Sequence, residues 1–210
     1  MTMQRLRLAL YIVAGFWFGG LAAFALFPEA RERLTPSISM RSVGQALVGG
    51  PFTLTDHNGK RVTDKDFRGK FMVVFFGFTN CPDVCPTALQ VMAAALDKLG
   101  ANAERVTPVF ISIDPEHDKP AQLASYVASF HPRLVGLTGS QAEIDAVAKA
   151  YRVYVKKVPD PKSTAGYTMD HSSIIYVMGP DGSYRAHFTH ATSPDAMAER
   201  LAAIIQKPSS

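Results

Sequence analysis

The sequence predicts an α/β fold, a layer of helices on a mixed sheet, from three observations. Continuous apolar runs rich in β-branched and aromatic residues stand at 71–78, 106–113 and 173–178. Helical periodicity fills the stretches between them. Apolar residues make up 47% of the 210-residue chain and charged residues 19%, a profile that buries a core and excludes a disordered chain. One domain plus an appendage fits this length, which excludes a large multidomain enzyme.

The appendage comes first. Leu8 to Phe27 is uncharged, and its twenty residues, as a helix, span a hydrocarbon core of about 30 Å. Arg5 and Arg7 precede it, whereas Glu29, Arg31, Glu32 and Arg33 cancel after it. The positive-inside rule therefore places residues 1–7 in the cytoplasm and the rest of the chain on the other side. A cleaved signal peptide is the rival, with Ala23-Phe24-Ala25 as the small-x-small site that removes 1–25. A signal h-region runs only about 7 to 15 residues, so an uncleaved anchor at 8–27 is expected. That makes a single-pass protein of the inner, cytoplasmic membrane with its domain on the periplasmic side. Residues 28–45, with Pro36, Ser37, Ser39, Gly44 and no sustained period, read as a linker.

The domain is expected at 46–207. Phe52 to Leu54 enters a turn at Asp56 to Lys60, where Gly59 can take a positive φ, and Arg61 to Thr63 returns as the second arm of a hairpin. Phe71 to Phe78 is apolar throughout, which suits a central strand buried on both faces. Leu89, Met92, Leu96 and Leu99 then share one helical face that stops at Gly100. Val106 to Ile113 is the next strand, followed by a helix from Pro120 bearing Leu123, Tyr126, Val127 and Phe130. A short strand is expected near Leu134 to Leu137. Ser140 and Glu143 form a capping box for a helix bearing Ile144, Val147 and Ala148. Ser173 to Met178 is a strand, another follows it, and Ser193 before Pro194 opens the last helix.

Charge narrows the partners. Residues 28–210 carry 20 basic and 18 acidic side chains, a net of +2 with no basic cluster, so nucleic acid is not an expected partner.

Chemistry concentrates at Cys81 and Cys85, the only cysteines, in TNCPDVCPTAL between the most buried strand and a helix. Ligands of open α/β sheets bind beyond the carboxyl ends of strands, and a helix N-terminus stabilises a thiolate. Pro86 places the helix start there, with Cys85 near the N-cap and Cys81 in the loop before it. Pro82 stiffens that loop, and both sulfurs can fold onto one patch. A structural disulfide would close a loop too short to stabilise much. Thiol-disulfide exchange suits the position, although redox pairs commonly have two spacers rather than three. Val84-Cys85-Pro86-Thr87 echoes a peroxiredoxin nucleophile, but Pro82 stands where that chemistry needs a hydroxyl. Metal binding needs a further ligand.

Of the six histidines, His57, His117, His131, His187 and His190 have structural or surface explanations, the last two being placed on a strand and facing opposite sides. His171 stands before the strand at 174–177, in a loop that the sheet could bring beside Cys81. Two thiolates and an imidazole form a soft three-coordinate set that suits Cu(I). Structural zinc wants a fourth protein ligand, and a catalytic zinc has no evident general base. Asp170 can orient His171 by accepting its other N–H, or cap the loop.

GGPFTLTDHNGK at 49–60, GKFMVVFFGFTNCPDVCP at 69–86, DPEHD at 114–118 and DHSS at 170–173 resemble the Sco/SenC family of membrane-anchored copper proteins, across most of Gly49 to Val177. The resemblance implies a thioredoxin-like fold with an added N-terminal β-hairpin. It implies a copper chaperone, not primarily an enzyme, that binds copper through Cys81, Cys85 and His171, with Cu(I) favoured and Cu(II) the alternative. It further implies delivery to the dinuclear copper centre of cytochrome c oxidase. The partners would be the copper-receiving oxidase subunit, a thiol reductant, an upstream copper donor and the membrane. Asp114 and Asp118 match the family's paired aspartates, which support the ligands or face the partner. The alternative is a thiol-disulfide oxidoreductase that reduces the cysteines of the copper-receiving subunit through Cys81 and Cys85. Against it, Asp170-His171-Ser172 stands where a thioredoxin-type reductase would carry a cis-proline. A sensor of copper or redox state is a third role.

Overall fold

Strand β3 (Phe71–Gly77) is buried along its whole length because it has neighbours on both edges and layers on both faces. It runs parallel to β4 (Val106–Ser112) and antiparallel to β8 (Ile174–Met178). With β1 (Thr53–Asp56), β2 (Arg61–Thr63), β5 (Val135–Thr138) and β9 (Tyr184–Thr189), these strands make a seven-stranded mixed sheet ordered β2-β1-β5-β4-β3-β8-β9. The computed structural model describes residues 48–163 and 165–206. The expected cytoplasmic segment 1–7, anchor 8–27 and linker 28–45 lie outside them. Among the described residues no helix is long and apolar enough to cross a membrane.

The expected hairpin is β1–β2, with Gly59 at φ 83° and the Asp56 carboxylate accepting the backbone N–H groups of Asn58 and Lys60 at 2.9 and 2.8 Å. Among the described residues four α-helices follow in chain order: α1 (Val84–Lys98), α2 (Pro120–Ala128), α3 (Gln141–Ala150) and α4 (Pro194–Gln206). Ser140 and Glu143 cap α3 reciprocally, each side chain accepting the other's backbone N–H. Helix α2 begins at Pro120 as the sequence suggests, although its N-cap Lys119 offers no side-chain oxygen. Ser193 Oγ accepts the Ala196 N–H at 3.3 Å, the cap expected of it before α4.

Two local expectations change. Helix α1 starts at Val84 rather than Pro86, with Asp83 as its N-cap, because a proline in the first turn lacks only an N–H that would have had no intrahelical acceptor. His171 is not in a loop. It ends β7 (Tyr167–His171), which pairs antiparallel with β6 (Val155–Pro159) in a separate two-stranded sheet. Of the other histidines, His57 and His131 accept backbone N–H bonds from Gly136 and Arg133. His187 lies exposed on β9, and His190 stands just beyond the strand's end at Thr189.

Gly77 closes β3 where α1 passes over the sheet. A Cβ there would lie 2.8 Å from Cys85 Sγ and 2.9 Å from a Phe110 ring carbon, both fully buried. The strand end is therefore glycine because a sulfur occupies the space of its side chain. Gly77→Ala is expected to lower unfolding stability by about 1–3 kcal/mol, as overpacking does. Chemical denaturation measures this, and an unchanged midpoint would remove the steric account.

Candidate metal centre

The chain leaves β3 at Gly77 and turns at once, Cys81 N–H donating to Phe78 O at 3.3 Å. The turn is held from below by Asp118, whose carboxylate accepts the Thr79 N–H at 3.0 Å and the Thr79 hydroxyl at 2.6 Å. Ser112, the last residue of β4, donates its hydroxyl to the same carboxylate. Cys81 therefore sits half-buried on a fixed loop, while Cys85, one helical turn on, is fully buried. The Cys85 N–H, free at the start of α1, donates to Cys81 Sγ at 3.4 Å.

Across from them, β7 presents His171. Its ring meets Phe75 and Phe78 edge-on, each at 6.1 Å between centroids, and these two rings fix the imidazole plane. Nδ1 stands 3.2 Å from the Ser172 carbonyl oxygen, so it carries the proton and donates there. Its Nε2 stands 3.7 Å from Cys85 Sγ. A sulfur and a nitrogen each about 2.0–2.3 Å from one ion stand about 3.5–4 Å apart, so this spacing fits a shared soft metal. Among the described residues no three His, Cys, Asp or Glu side chains are already drawn into a metal cage. Cys81 and His171 line one open groove with Phe78, Pro82 and Met169, while the fully buried Cys85 does not line it.

The two thiols are unequal. The Cys85 thiol donates to Cys81 and, with the His171 side chain and the N–H groups of Cys85 and Asp83, pulls the Cys81 thiol down to about 4 against the opposing effect of burial. The same contact with Cys81, then burial, then the Cys81 charge, drive the Cys85 thiol far upward. One shared hydrogen bond thus lowers the Cys81 thiol and raises the Cys85 thiol, and no disulfide joins the two.

The expected supporting residues fall into place differently. Asp170 is exposed, on the opposite face of β7 from its neighbour, and of its two suggested roles the bond to His171 goes instead to the Ser172 carbonyl. Asp114 and Asp118 are buried, at 4% and 0% exposure, so their carboxylates point into the fold and not outward to a partner. Burial pushes the Asp118 carboxyl above the ordinary range, opposed by its bonds from Ser112 and Thr79. Asp114 accepts from the Tyr167 hydroxyl at about 3 Å. The sequence reading missed Thr79, Ser112, Gly77 and Tyr167. Only Tyr167 had a signal, its even spacing from His171, and that is visible only once β7 is known to be a strand.

Residues 40–206 match the family model described as SCO1/SenC. The human protein named "Protein SCO1 homolog, mitochondrial" is 48% identical over 163 residues, which cover 76% of this chain and 53% of the human one. The chain thus spans about half the length of that relative. The copper-bound structure of Bradyrhizobium japonicum ScoI is 48% identical at a TM-score of 0.69, covering 75% of this chain and 99% of that one. BsSco, whose structure revealed a disulfide switch and which is described as a member of the Sco family of cytochrome c oxidase assembly proteins, is 31% identical at a TM-score of 0.61. That match covers 77% of this chain and 95% of BsSco.

The unequal thiols have a direct readout. The ultraviolet thiolate absorbance of the reduced chain is expected to correspond to one thiolate at neutral pH and to disappear on acidification with a midpoint at about 4. Two protonated thiols at neutral pH would contradict the arrangement.

Proposed function

This chain belongs to the SCO1/SenC family, and on that premise we propose that it is a copper chaperone anchored in the inner membrane through residues 8–27. It carries copper on Cys81, Cys85 and His171 on the periplasmic side and delivers it to the dinuclear copper centre of cytochrome c oxidase. The observation that carries this reading is the 3.7 Å approach of Cys85 Sγ to His171 Nε2 beside the Cys81 sulfur. Soft thiolates with one imidazole favour Cu(I) over harder ions and leave Cu(II) as the weaker-matched state.

Copper is cargo here, and both loading and release are ligand exchange. Cys81 is deprotonated and borders the open groove, so it is the first sulfur that an incoming donor site meets. Closing the site takes the proton from Cys85, whose thiol stays protonated at neutral pH. Loading therefore releases about one proton, and affinity rises about tenfold per pH unit in that range. The copper-receiving oxidase subunit draws the ion off from the groove side with its own sulfurs. An upstream donor supplies copper, and a separate reductant keeps the dithiol open in an oxidising compartment.

A second reading is favoured by the inequality of the thiols. An accessible thiolate beside a buried, protonated partner is also the arrangement of an attacking and a resolving cysteine, which suits reduction of the recipient's cysteines. Ligation needs His171, and exchange does not.

Anaerobic Cu(I) titration of the reduced full chain against a competing chelator tests the first reading. One copper per chain is expected, with tight binding abolished by Cys81→Ser or Cys85→Ser and weakened, to a smaller degree, by His171→Ala. Tight binding retained in both serine variants would overturn it. Full oxidase assembly supported by the His171→Ala chain would favour the reductase.

A further inference from the structure

A two-stranded ribbon is marginal on its own in water, and β6–β7 is such a ribbon, outside the main sheet and only partly buried. Something must pin it for His171 to stand where it does. Val155 and Met169 pack on the core and the His171 ring on Phe75 and Phe78, and one part-buried hydrogen-bonded pin adds to them. Tyr167 opens β7 four residues before His171, so the two side chains share a face of the strand. The Tyr167 hydroxyl donates to the Asp114 carboxylate, with oxygens at 3.0 and 2.9 Å, and contacts His117 Nδ1, which can donate to it in turn. The ring of Tyr167 is also covered by Lys157 Nζ of β6 at 3.7 Å, which pairs with Glu116 at 2.7 Å. That second contact is exposed and contributes less.

The pin ends on the segment that holds the opposite wall. Asp114 N–H donates to Ser112 Oγ at 3.0 Å, Ser112 donates to Asp118, and Asp118 accepts both donors of Thr79, two residues before Cys81. Asp118 N–H closes the turn on Asp114 O at 2.9 Å. An unbroken run of hydrogen bonds thus joins Tyr167 on the histidine wall to Thr79 on the cysteine wall, through groups that are mostly buried.

We infer that Tyr167 is a positioning residue for copper, its hydroxyl clamping the β6–β7 ribbon to the 112–118 segment and so setting the distance between His171 and the cysteines. The inference rests on the copper reading of the site. Tyr167 touches neither sulfur nor metal and acts only through His171.

Removing the hydroxyl alone, as Tyr167→Phe in the full chain, separates this role from general stability. Amide hydrogen exchange of the copper-free protein is expected to quicken by about tenfold in β6 and β7, the consequence of one lost hydrogen bond to a buried carboxylate, and to stay unchanged in β3 and β4. Cu(I) affinity, measured by chelator competition, is expected to fall about tenfold or more, as when an outer support of a ligand is lost. In the His171→Ala background the same change is expected to alter affinity by no further factor. Unchanged exchange in the ribbon overturns the inference, and so does an equal loss of affinity in both backgrounds. If the native chain binds no Cu(I), the copper reading fails, and ribbon exchange alone then decides whether the clamp exists.

Discussion

The arrangement of the site depends on one buried carboxylate. Asp118 has no exposed surface, yet it takes hydrogen bonds from Thr79 N–H, Thr79 Oγ1 and Ser112 Oγ. Taking a carboxylate out of water costs several kcal/mol, and only a nearly complete set of donors offsets this. The geometry is consequently exacting: donors on β4 and on the loop after β3 must meet at one point. That requirement ties the end of a parallel strand pair to the start of the cysteine loop. A loop of the same length without such an anchor would carry Cys81 on a freely moving segment, and the Cys85 N–H would have no fixed sulfur to meet.

The same rigidity explains why two cysteines of one short motif differ so much. Cys85 is packed by α1 against Gly77 and Phe110, where no water reaches its sulfur, so the charged form is disfavoured. Cys81 faces a groove and collects donors at the beginning of the helix. Their mutual hydrogen bond acts with opposite sign on the two sulfurs, and deeper burial at Cys85 widens the split. Under the copper reading, a lowered Cys81 thiol beside the proton of Cys85 is a half-made site.

Most of the fold was legible in the sequence because burial on two faces leaves a plain trace. Phe71 to Gly77 has no polar residue to interrupt it, and the Ser140/Glu143 box marks a helix start by its own chemistry. The β6–β7 ribbon left no such trace. Val155–Pro159 carries Lys156 and Lys157 side by side and ends in proline, so neither alternation nor an apolar run survives, and its pairing is fixed by contacts distant in sequence. Cys81 and Cys85 stood out by residue type and spacing, and His171 joined them through the resemblance to the Sco/SenC family. Asp114 and Asp118 could be named too, but whether their carboxylates turn inward or outward is decided by Ser112, Thr79 and Tyr167, none of which stands out in the sequence. For Asp170 the sequence left two roles open, and the strand decides between faces: adjacency in a strand puts neighbours on opposite sides, so the residue beside a histidine is poorly placed to orient it.

The two walls of the groove differ in how they are held, and this bears on how a carrier both keeps and yields an ion. The cysteine wall grows from the central strand and is anchored by Asp118, so its sulfurs are set by the stability of the whole domain. The histidine wall is a ribbon whose separate sheet would be marginal without the hydroxyl of Tyr167 and the aromatic contacts of His171 with Phe75 and Phe78. Free energy needed to open the ribbon is therefore much smaller than that needed to open the core. Under the copper reading, capture by two sulfurs and release through the third ligand become separable steps. An incoming partner sulfur needs only to displace an imidazole on a strand held by fewer contacts than the core, while the remaining thiolates keep the ion bound until the next bond has formed.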